Sequence, residues 1–161
     1  MSSIADAIQA KCLAFGDRVI KLNDYLLEQA SLKYDVRCQK YNRGSKQHQP
    51  SDIRHHTSRV PVHLQAVAVL CNQLLRSGTS IGANNAEATS AISTADFKAK
   101  SYIALKEARE SLYWLDLLHR NNYLTDVQYQ SLYTDCDELV KVLTHRCKKI
   151  DENEDKDGKK K

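Results

Sequence analysis

Four stretches of the chain repeat apolar residues at helical spacing. In the first, Ile8, Cys12, Phe15, Val19, Leu22 and Leu26 step by four, three, four, three and four, with Lys11, Arg18, Lys21 and Asp24 on other faces. That is the pattern of an amphipathic helix. It predicts a helix over about Ile4 to Leu32, capped by Ser2 or Ser3. Val67, Leu70, Leu74 and Ile81 predict a second helix from near Ser58–Val62 to about Ala88, with Pro61 suited to the first turn. A third follows a cap at Ser93 with Asp96, or at Thr94, and ends at Arg120 before Asn121-Asn122. Its seam is Phe97, Ser101, Ala104, Ala108, Ser111, Leu115 and Leu118. Thr125 with Gln128 forms a capping-box pattern for a fourth. Leu132, Cys136, Leu139 and Leu143 form its stripe, with Tyr129 and Ile150 at the ends.

Small residues occupy seam positions where bulk is ordinarily needed. Ser77, Gly78, Ser80, Gly82, Ala83, Asn84, Ala86 and Ala88 crowd the second helix, and serines and alanines fill half of the third. Such residues let two backbones approach closely. The second and third helices are therefore expected to form a tight central pair, with the first and fourth supplying volume. The expected fold is all-α: an up-down-up-down four-helix bundle over residues 1–150. Gly44, Pro50 and sparse apolar residues predict a long basic loop over 34–58 between helices one and two; the alternative for part of Lys33 to Tyr41 is an extension of the first helix. The alternating charges of 151–161 predict a disordered tail.

Charge sharpens the picture. The net charge is +4; one segment is more basic than the whole chain, and the rest nearly cancels. Lys33, Arg37, Lys40, Arg43, Lys46, Arg54 and Arg59 stand there against only Asp35 and Asp52. A basic excess focused on one segment favours a polyanionic partner. Tyr34 and Tyr41 lie among the cations and are able to stack on unpaired bases. These seven cations, with Lys148 and Lys149 in support, are the candidate nucleic-acid contacts. A solvated loop is the plainer alternative.

Other constellations carry little chemistry. Glu107 and Glu110 have no nucleophile at a defined spacing. His48, His55, His56 and Cys38 fit no zinc pattern, and His145 and Cys147 diverge on a helix. The five cysteines form no C-x-x-C pair, and reduced thiols are expected. No enzyme activity, metal or cofactor is expected. No apolar run reaches the length of a membrane span, and the start lacks a signal-peptide order, so the expected location is cytoplasmic.

Arg76, Ser80, Asn84 and Glu87 step by four, four and three along the second helix. This polar stripe fits a buried network or subunit contact, or else a solvated face. Glu107 or Glu110 is the expected partner of Arg76. Tyr113 and Trp114 are adjacent and point to different faces, so at least one lies near the surface, at an interface or at the core edge.

The run QLLRSGTSIGAN from Gln73 to Asn84, then Ala86-Glu87-Ala88, Asp96-Phe97 and IALKEARESLYWLDLL from Ile103 to Leu118, resembles one bacterial family of four-helix-bundle proteins. It includes proteins encoded within intervening sequences of 23S ribosomal RNA genes. It also includes the accessory variability determinant of diversity-generating retroelements, which works beside a reverse transcriptase. Asn85 stands where that pattern usually has an aliphatic residue. The resemblance implies ring-like homo-oligomers, commonly pentamers, with structured RNA and a reverse transcriptase as partners. The expected function is a non-enzymatic accessory protein of that kind. The alternative is a protein–protein scaffold of a mobile-element or defence cassette that binds no nucleic acid.

Overall fold

The computed structural model describes residues 4–44 and 62–158. They form α1 (Ile4–Gly44), α2 (Val62–Thr89), α3 (Thr94–Arg120) and α4 (Asp126–Gly158). Among the described residues there is no strand.

The helix ends follow from local chemistry. Ser93 caps α3, its hydroxyl accepting from Asp96 N–H at 3.1 Å. Asn121 closes the helix, and Asn122 takes a left-handed φ of 58° to turn the chain. Asparagine tolerates that region better than most residues. Thr125 and Gln128 then satisfy each other's backbone N–H groups at 3.0 and 3.3 Å, the reciprocal bonds of a capping box.

Two helices outrun their expected ends. The loop expected over 34–58 does not begin at Tyr34, because α1 continues to Gly44. Lys33, Arg37, Lys40 and Arg43 therefore sit on helical backbone; Lys46, Arg54 and Arg59 lie outside the described residues. Extending an existing helix adds one bond per residue without a new nucleus. Lys, Arg and Gln are good formers, so no buried stripe is required. The tail expected to be disordered from Asp151 is likewise helical to Gly158. Asp151 is anchored there by Tyr102 Oη at 2.5 Å and Lys98 Nζ at 2.9 Å.

Contacts between helices set the topology. Along α1 and α2, Val19 and Phe15 meet Gly78, Cys12 meets Gly82, and Gln9 meets Asn85. One number rises as the other falls, so the pair is antiparallel. Ser77 with Ser111 and Glu87 with Lys100 show the same for α2 and α3. Asp116 with Tyr129 and Tyr102 with Asp151 show it for α3 and α4, and Arg18 with Ser131 and Lys11 with Glu138 for α1 and α4. Each helix packs its backbone on its two neighbours, and a side-chain bond from Arg146 of α4 to Asn85 of α2 spans the diagonal. This is an up-down-up-down four-helix bundle.

The core is one continuous cluster. It runs from Ile8 through Phe15, Val19 and Leu26 on α1, Val67, Leu74 and Ile81 on α2, and Leu105, Leu115 and Leu118 on α3 to Leu132, Leu139 and Leu143 on α4. Cys12, Cys71, Cys136 and Cys147 are free, buried members of it. Burial pushes the thiols of Cys12 and Cys71 up to about 11 and that of Cys136 up to about 12, so they behave as small apolar residues.

The small residues divide between two seams. Gly78 and Gly82 face α1; a Cβ on Gly78 would stand 3.1 Å from Val19 Cγ2. Ser77 faces α3 and accepts a hydrogen bond from the Ser111 hydroxyl at 2.9 Å, with both serines fully buried. α2 is thus the central rod, closely approached on both sides.

Candidate functional site

The polar stripe of α2 meets α3 along one outer seam. Arg76 pairs with Glu110 Oε1 and lies 3.7 Å from Glu107 Oε2. Trp114 Nε1 donates to the same Glu110 oxygen at 3.0 Å. Glu107 Oε2 is buried and accepts no hydrogen bond. Burial raises the carboxyl pKa of Glu107, and the Arg76 charge partly opposes the rise. Further along, Glu87 pairs with Lys100, and Asn84 Nδ2 donates back to Ser80 O at 2.9 Å. Arg76, Glu87, Glu107, Glu110 and Trp114 thus lie together on the α2–α3 seam. Ser80 and Asn84 are half-buried beside them.

Tyr113 and Trp114 part as adjacent helical residues must. Trp114 packs against the core. Tyr113 remains 55% exposed, its ring edge-on to Trp114 at 4.9 Å between centroids. Of the two, Tyr113 is the residue free to meet a second surface.

A third polar feature lies where the sequence shows an odd asparagine. Asn85 continues the buried phase of Leu74, Gly78 and Ile81, and it is fully buried. Its amide donates to Gln9 at 2.5 Å and accepts from Arg146 at 2.7 Å. Arg146 also sits 5.8 Å from the centre of the Phe97 ring. Burial pulls its pKa down, yet an arginine keeps its charge in such a site. The signal for this network was a polar residue in phase with an apolar stripe; its partners are 76 and 61 positions away.

The candidate nucleic-acid residues fall into separate places. Lys33, Arg37, Lys40 and Arg43 step by four, three and three along α1, so their Cα positions share one side of the helix. This basic stretch continues α1 beyond Ala30, whose level is that of the α3–α4 turn. Lys148 and Lys149 are exposed near the other end, next to the Gln9–Asn85–Arg146 level. At about 1.5 Å per residue, even the nearest of the four α1 cations, Lys33, is about 35 Å away along the bundle. One subunit does not merge them into a single patch.

Among the described residues, no cluster of His, Cys, Asp and Glu is disposed to hold a metal ion, and no helix is long and apolar enough to cross a membrane.

Residues 51–145 match the family model described as 23S rRNA-intervening sequence protein. A solved structure has the same architecture: a protein with unknown function from the S23 ribosomal protein family of Bacteroides thetaiotaomicron VPI-5482. It is 35% identical, the alignment covers 89% of this chain and 97% of that one, and the TM-score is 0.65. No curated protein matches the chain.

Proposed function

The chain belongs to the 23S rRNA-intervening sequence protein family, and from that premise we propose that it is a non-catalytic accessory protein that binds structured RNA as a homo-oligomer. The observation that carries the proposal is the helical continuation of α1 to Gly44. It sets Lys33, Arg37, Lys40 and Arg43 on helical backbone, with Asp35 the only acid among them. Helical backbone holds such charges at a fixed spacing, which suits a phosphate backbone. Contacts of this kind position a nucleic acid without reading its sequence.

Self-association multiplies the effect. Several copies of the basic rod on one ring raise avidity without new contacts. The exposed ring of Tyr113 and the Arg76–Glu110–Trp114 seam beside it are the proposed subunit surface, and a pentamer is the expected ring. A reverse transcriptase is the proposed protein partner where the chain is encoded beside one.

The experiment is binding of a structured RNA hairpin across a range of salt. Each neutralised phosphate contributes a slope of about −0.7 to −0.9 in log K against log salt. The expected result is a slope of several such units, and a loss of about tenfold or more on changing Arg37, Lys40 and Arg43 together to glutamate. RNA affinity indifferent to ionic strength overturns the reading. An unchanged affinity in the charge-reversed variant favours the protein–protein scaffold instead. Sedimentation of the same samples reads the oligomeric state.

A further inference from the structure

A half-open cavity of about 520 Å³ lies at the end of the bundle where α3 turns into α4. Tyr25 and Gln29 of α1, Val67 of α2, His119 of α3, and Tyr123 and Gln128 around the turn contribute to its walls. We propose that this cavity takes an unpaired base of a bound RNA strand. The inference rests on the RNA-binding reading above and gives that reading a site.

The size is that of a small-ligand pocket, and the lining suits a flat, polar-edged ring. Leu26, Val67 and Leu124 make an apolar floor. Tyr25 is 44% exposed, so much of its ring is not consumed by packing, and Tyr123 stands half-buried in the same cavity. Aromatic faces stack any base, and side-chain amides meet its edge. Gln29 makes no hydrogen bond among the described residues and is available for such an edge. One carboxylate, Asp126, also reaches the wall, where His119 Nε2 holds it at 2.8 Å.

Charge on both sides favours a nucleic acid over an uncharged ligand. The α1 wall runs directly from Ala30 into the backbone of Lys33, one turn on. In the other direction a shallower groove shares Tyr25 and Gln128 with the cavity and is lined by Arg18 and Lys21. Asp135 occupies Arg18, whereas Lys21 makes no ion pair among the described residues. Lys21 and Lys33 bracket Tyr25 over about 18 Å of helix. A strand drawn along the groove by Lys21 reaches the cavity mouth at Tyr25 and presents its bases there.

The test compares oligouridine with an abasic ribose-phosphate oligomer of the same length, which carries equal charge and no base. The full chain is expected to bind oligouridine about tenfold tighter. Tyr25→Ala is expected to abolish that preference while leaving abasic binding unchanged, and Tyr25→Phe to retain it. Thermal melts confirm that both variants fold. A 5-bromouridine oligomer is expected to photo-cross-link to Tyr25, Tyr123 or His119. Equal affinity for the two oligomers, a preference that survives Tyr25→Ala, or cross-links confined to other surfaces overturns the cavity site and leaves the RNA reading standing. Failure of hairpin, oligouridine and abasic oligomer alike to bind overturns both.

Discussion

Arg146 donates a 2.7 Å hydrogen bond to the buried side chain of Asn85, whose amide nitrogen in turn donates to Gln9. One amide of α2 therefore ties α4 to α1. Replacing it with an aliphatic residue leaves two polar side chains without their partner. Asn85→Leu is expected to cost about 1–3 kcal/mol, read by chemical denaturation. The double variant Asn85→Leu/Arg146→Leu is expected to recover about 1 kcal/mol relative to additive losses. Strict additivity would show that Asn85 and Arg146 are not coupled.

Gly78 and Gly82 differ in the space before them. A Cβ on Gly78 would press on both Val19 methyls at 3.1 and 3.3 Å, whereas one on Gly82 would meet Cys12 Cβ at 3.4 Å. Alanine gains about 1 kcal/mol of helix propensity at either position, and overpacking typically costs about 1–3 kcal/mol. Gly82→Ala is expected to raise the melting temperature by about 2–4 °C, and Gly78→Ala to lower it. The reverse order in thermal scans would contradict the assignment of these glycines to the α1 seam.

Arg76 lowers the Glu107 pKa against the effect of burial. Arg76→Ala removes that opposition and is expected to destabilise the fold by about 1 kcal/mol at neutral pH. The dependence on pH has a definite sign. A carboxyl whose folded pKa is raised binds its proton more readily when folded, so its favourable contribution is present at low pH and fades as pH rises through the folded value. Removing Arg76 raises that value further. The deficit of the variant is therefore expected to be small in mild acid and to grow toward neutrality. A variant as stable as the parent at pH 7, and assembling equally well, would show that the Arg76 pairs serve neither stability nor assembly.

Tyr129 donates to Asp116 Oδ1 at 2.6 Å. That bond, with some burial, pushes its hydroxyl up to about 12 from an ordinary 10. The neutral phenol is favoured in the folded chain, so its contribution to stability is full below pH 10 and is lost as pH rises toward about 12. Phenolate absorbance is expected to show one of the eight tyrosines ionising near pH 12. Asp116→Asn is expected to bring it back toward 10. A titration unchanged by that substitution would refute the cause assigned here.

The four helices, the capping pairs at Ser93 and Thr125, and the buried stripes are all properties of residues within a few positions of one another. Periodicity therefore displays them directly in the sequence. The pairing of Arg76 with Glu107 and Glu110 was foreseeable because the three lie on neighbouring helices with a short join. The continuation of α1 to Gly44 and of α4 to Gly158 was not legible from the stripes. Helix extension depends on an existing helix and on anchors such as Lys98 and Tyr102, nearly fifty residues from Asp151.

The sequence by itself determined the class of fold, the family signature and the identity of the basic segment. Only the tertiary structure decided which way each helix is turned. That rotation sends Gly78 and Gly82 of α2 to α1 and Ser77 to α3, makes Asn85 a joint between three helices, and opens a cavity beside Tyr25. A helical period specifies which residues share a face. The direction in which that face points is settled only when all four rods bury their apolar surface together.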